Sequence, residues 1–181
     1  MTNARWYIAA LLLTLTLPGA NVALAQVGVK AEDLIGTWEL VSAKDLKTGA
    51  DVPGLDGVST GMLQWLQFTR SHYMLIAMDR GRSVMSSADF AKLSPEEKVK
   101  TNYARVWNEK NEQLFGANGG TYSVEGDTIH EKPMMALYTG FIGTDRILKI
   151  TRLDTSTMVA QLAWPPVNPT TTRELTYRRI E

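Results

Sequence analysis

What most constrains this chain is its division into short runs of strand character, each bounded by turn-forming residues. Eight such runs are predicted: Thr37–Ser42, Gly61–Phe68, Tyr73–Met78, Gly120–Val124, Thr128–Lys132, Arg146–Leu153, Thr157–Leu162 and Thr172–Ile180. Thr69–His72, Glu125–Asp127 and Asp154–Ser156 have the length and residue types of hairpin connections. Tyr73–Met78 is apolar at nearly every position, which calls for cover on both faces. Pro133 confines the strand before it to an edge or an end. Lys44–Thr60, rich in Gly, Asp and Pro, reads as a long loop, and Pro165, Pro166 and Pro169 make a stiff one.

One main helix interrupts this series after the third strand. Ser94-Pro95-Glu96-Glu97 is a capping box with Pro at the first helical position. Val99, Tyr103, Val106 and Trp107 then recur on one face, and the helix ends between Asn111 and Gly120. A shorter helical turn is predicted from Ser87 through Leu93. Eight mainly antiparallel strands suit an up-and-down barrel, whose closure removes exposed sheet edges. The interior of such a barrel either fills with side chains or holds one small ligand. An open sandwich is the competing architecture.

Residues 1–25 read as an address rather than as part of the fold. Arg5 is followed by the apolar run Trp6–Leu17, the break Pro18-Gly19 and the small-residue signal Ala23-Leu24-Ala25. That is the layout of a cleaved secretory signal peptide, and the run is short for a membrane span. A periplasmic or secreted protein is expected, with no stable span after cleavage. Gln26–Glu32 reads as a leader and 33–181 as a single domain. Cleavage removes one charge, so the balance of 19 basic and 19 acidic residues barely changes. That balance argues against nucleic-acid binding. With no cysteine and two histidines, disulfides, thiolate metal sites and all-His metal sites are excluded. No cofactor is called for, and oligomeric state is left open.

The stretch Leu34–Ser42, with Gly36-Thr37-Trp38, resembles the opening strand of a lipocalin-like barrel. Gly61–Met78, Ser94–Glu97, the hairpin Gly120–His130 and the closing run Leu175–Ile180 resemble further segments of the bacterial lipocalin-like family, in the same order. The closing run has Tyr177 where the family pattern has Trp, and Arg178 where it has Glu. The resemblance implies an eight-stranded calycin-type barrel with a central cavity for a small hydrophobic molecule and no catalytic set. It also implies that Trp38 closes the barrel floor with an Arg of the last strand lying across it. Leu175, Tyr177 and Arg179 share one strand face, which makes Arg179 that residue.

Candidate ligand-binding residues are the aromatics Trp65, Tyr73, Trp107, Tyr122 and Tyr138, with His130 as the polar member. Tyr103 and Trp107, at i and i+4, are better suited to packing the helix onto the barrel. His130 inside a cavity would orient a ligand group or act as a general base, while an exposed strand histidine is the plain alternative. His72 falls in a turn and is expected to be solvated. Arg146 and Arg152, six residues apart, are expected on one solvated face. Met134-Met135 carries no His or Cys at ligand spacing, so no soft-metal site is expected. Three functions follow. The first is non-catalytic binding of a small hydrophobic or amphipathic molecule. The second is an isomerase- or cyclase-type barrel enzyme using His130 with a Tyr or Glu. The third is a filled barrel that binds a partner through Lys44–Thr60 or helix 94–110.

Overall fold

The computed structural model describes residues 28–52, 62–80, 85–106, 114–164 and 168–181. The expected signal segment and Trp107 lie outside these residues. Eight strands close into one barrel in chain order, each antiparallel to its neighbours. They are β1 (Gly36–Asp45), β2 (Met62–Phe68), β3 (His72–Asp79), β4 (Phe115–Glu125), β5 (Thr128–Ala136), β6 (Arg146–Leu153), β7 (Thr157–Trp164) and β8 (Asn168–Arg179). β8 returns to pair with β1, so the sheet has no free edge.

Alternation gives each strand an inner and an outer face. On β2, Gln64, Leu66 and Phe68 point inward, and on β3 Tyr73, Leu75 and Ala77 do so. With Trp38, Ile129, Leu148, Ile150, Met158, Leu175 and Tyr177 they form the core. The turns β2–β3, β4–β5 and β6–β7 lie at one end with the start of β1. β1, β3, β5 and β7 end at the other.

Several strands run further than their sequences suggest, and β1 continues through Asp45 into the stretch expected to be a loop. β4 starts at Phe115, within the stretch expected to end the helix, and Gly119 and Gly120 lie in its buried middle. A Cβ at Gly120 would collide with the Lys132 carbonyl oxygen, because the β4–β5 register shifts between Gly119 and Gly120. β5 continues through Pro133, which lies beyond Glu131, the last β5 residue paired with β6. β8 begins at Asn168 and includes Pro169.

Of the helices, α1 (Ala31–Leu34) falls where a leader and the strand approach were expected. It closes the floor, with buried Leu34 facing in. α2 spans Ser87–Ala91 and α3 spans Pro95–Val106. Glu97 N–H donates to Ser94 Oγ (3.2 Å), and Ser94 N–H donates to a Glu97 carboxylate oxygen (2.8 Å), the reciprocal bonds of a capping box. Val99, expected on the packing face, is 70% exposed.

Candidate functional site: a polar layer inside the barrel

The floor fixes which end of the barrel is closed. Trp38 is fully buried, and its Nε1–H donates to the Leu34 carbonyl (2.8 Å). The guanidinium of Arg179, its register partner on β8, lies 4.1 Å from the indole centroid. Arg179 also donates to three backbone carbonyls: Thr155 (2.9 Å), Ile35 (2.5 Å) and Asp33 (2.5 Å). One side chain thereby joins β8, the β6–β7 turn and the segment that enters β1. Val29 N–H donates to the Gly126 carbonyl (3.1 Å), tying the residues before α1 to the β4–β5 turn.

Above this apolar floor the interior turns polar. Glu131 on β5 and Arg146 on β6 are register partners, both buried, and form an ion pair. Gln64 Nε2 donates to the Tyr177 hydroxyl (3.0 Å), and Arg146 hydrogen-bonds that same hydroxyl. Tyr73 is near enough to feel both charges. Burial pushes the Glu131 carboxyl up, and the Arg146 guanidinium pulls against that shift. Burial and the Glu131 charge push the Tyr73 phenol up, so it remains a neutral hydroxyl. Among the described residues four buried side-chain oxygens have no hydrogen-bond partner: Glu131 Oε1, the Tyr73 hydroxyl and Asn118 Oδ1 in the interior, and Asp145 Oδ1 beside His130. An unmatched buried polar atom is costly, which sets these oxygens apart from the rest of the interior.

Several expected site residues are placed elsewhere. His130 faces outward between inward-facing Ile129 and Glu131, and its Nδ1 is 3.2 Å from an Asp145 carboxylate oxygen. An acid–base role inside the barrel is therefore closed to it. Trp65 is also on the outer face and 44% exposed, because Gln64 and Leu66 take the inner positions. It lines an outer groove of about 320 Å³ with Met74, Ile76 and Ile180. Tyr138 follows β5 and is 52% exposed, edge-to-face with Phe141. Tyr122 points into the barrel near the floor, where it packs edge-to-face on Phe68 and donates to the Thr69 carbonyl (2.7 Å). Tyr73 faces the interior.

Arg146 and Arg152 do not share a face. The β6–β7 register shifts between Ile150 and Arg152, so Arg146 stays inside and Arg152 emerges to solvent beside Asp154. His72 is exposed and close to the Ser71 hydroxyl (2.8 Å). Glu131 and Arg146 were legible by parity: Glu131 shares its face with Ile129, and Arg146 shares its face with Leu148 and Ile150. Among the described residues no group of His, Asp and Glu is arranged to hold a metal ion, and no helix is long and apolar enough to cross a membrane.

A closed up-and-down barrel with a Trp–Arg floor and a short N-terminal helix beneath it is a lipocalin-like barrel. The chain is similar to several solved structures, among them two from Bacteroides. One is a lipocalin-like protein from Bacteroides uniformis, 13% identical over 82% of this chain and 99% of that one, with a TM-score of 0.44. The other is an uncharacterized protein from Bacteroides eggerthii, 12% identical over 81% of this chain and 98% of that one, with a TM-score of 0.42. No family model and no curated protein matches the sequence.

Proposed function

We propose that this is an exported, non-catalytic barrel that binds one small amphipathic molecule inside. The polar part of the ligand meets the Glu131–Arg146 layer, and its apolar part extends toward the end opposite Trp38. The observation that carries this reading is the set of unpartnered oxygens on Glu131, Tyr73 and Asn118, which all belong to buried residues. Hydrophobic walls with a few convergent polar groups are the usual make-up of a small-molecule site. Leu75, Leu162 and Leu175 belong to the buried apolar core that surrounds the layer. Export rests on the segment 1–25.

An apolar fluorophore such as N-phenyl-1-naphthylamine tests the reading. Binding of one equivalent is expected, weakened by Leu162→Asp and unaffected by Trp65→Ser with Met74→Ser on the outer wall. Loss of binding in the outer-wall variant alone would place the site outside the barrel and overturn the proposal.

A further inference from the structure

The bonding state of the interior pair narrows the ligand's polar group, if the binding reading above holds. An arginine inside a barrel would ordinarily suit a carboxylate ligand. Here that cation is already taken. Arg146 is paired with Glu131 and hydrogen-bonded to Tyr177. What the interior leaves open is Glu131 Oε1, an acceptor, and the Tyr73 hydroxyl, which can both donate and accept. Both residues are at least nine-tenths buried, and both lie within electrostatic reach of the same guanidinium. Asn118 Oδ1, on the neighbouring strand β4 and nearer its start, adds a second open acceptor.

We propose that the group recognised at this layer is an uncharged hydroxyl, which donates to Glu131 Oε1 and accepts from the Tyr73 hydroxyl. One alcohol oxygen satisfies both open atoms and adds no charge to a neutral pair. A carboxylate has no proton to give Glu131 and would set a second negative charge beside it. An ammonium would set a second positive charge beside Arg146. In an interior with little solvent to screen them, either like-charge contact is strongly unfavourable. Asn118 Oδ1 is then available to a second donor further along the ligand, so a long-chain diol or hydroxy-amide also fits the class.

Titration calorimetry at neutral pH with three probes of equal chain length, 1-decanol, decanoate and decylammonium, tests this. Decanol is expected to bind at least tenfold more tightly than either ion. Tyr73→Phe should weaken decanol about tenfold and leave the ions unchanged. Glu131→Gln frees Arg146 and should reverse the order, with decanoate gaining at least tenfold and decanol losing. If Glu131→Gln fails to fold, the wild-type ranking and Tyr73→Phe still decide. Decanoate or decylammonium binding as tightly as decanol to the wild type would overturn the hydroxyl assignment and leave the binding function standing. Failure of all three probes and of the apolar fluorophore would overturn both.

Discussion

Glu131 on β5 and Arg146 on β6 face each other as the last paired residues of their ladder, and neither side chain has meaningful access to solvent. An ion pair in that position contributes little net stability, because both charges have lost their hydration. Removing one partner is different, since it strands the other. Arg146→Met should destabilise the fold by roughly 3–5 kcal/mol, and adding Glu131→Leu should restore most of that loss. Urea denaturation of the single and double variants checks this. A double variant no more stable than Arg146→Met would show that the pair holds the barrel together on its own account.

The floor separates two adjacent arginines. Arg179 stacks on Trp38 and donates to three carbonyls, whereas Arg178 makes a solvent-exposed ion pair with Glu39 (2.6 Å). Arg179→Ala should cost about 2–4 kcal/mol, from lost charge-assisted hydrogen bonds and the cation–π contact. Arg178→Ala should cost under about 1 kcal/mol. Thermal melts of the two variants give the comparison, and equal losses would contradict the role of Arg179.

Gly36, two residues before Trp38, has φ of +132°, and a Cβ there would collide with the Glu181 carbonyl oxygen. Gly36→Ala should lower stability by about 3 kcal/mol through strain and that clash. Gly49 also has a positive φ, +71°, but no atom within 4 Å of the added carbon. Gly49→Ala should therefore lose only about 1 kcal/mol. Equal losses in denaturant melts would show that the clash with the last residue does not matter.

The β6–β7 turn carries a pH signature. Backbone and side-chain hydrogen bonds, with Arg152 beside it, hold the Asp154 carboxyl at about 2, below its ordinary 3.8. A depressed folded-state value means that the contribution is fully present above about pH 4 and is lost as pH falls toward 2. Asp154→Asn should flatten the melting temperature over that window relative to wild type. A parallel decline in both proteins would remove Asp154 as a cause.

Strand number, order and the hairpin turns were legible because period-2 patterning and turn chemistry are local. Trp38 over Arg179 was legible through the resemblance and through face parity along β8. Bulges were not. The shift at Thr151 sends Arg152 outward while Arg146 stays inside, and no local residue preference announces it. The early start of β4 was not legible either, since the need for Gly120 comes from the close approach of Lys132 across the sheet. His130 drew attention as chemistry, but its neighbour Glu131 has the inward position. Glu131 shares its face with Ile129, and its burial depends on the pairing with Arg146, a contact between strands that no local pattern shows.

The measurement that bears most directly on the function is native mass spectrometry of the protein purified from the organism that makes it. A mass excess of one small molecule is expected, released by organic solvent and absent after denaturation. The bare chain mass, in protein that also takes up no apolar probe, would contradict a ligand-binding barrel.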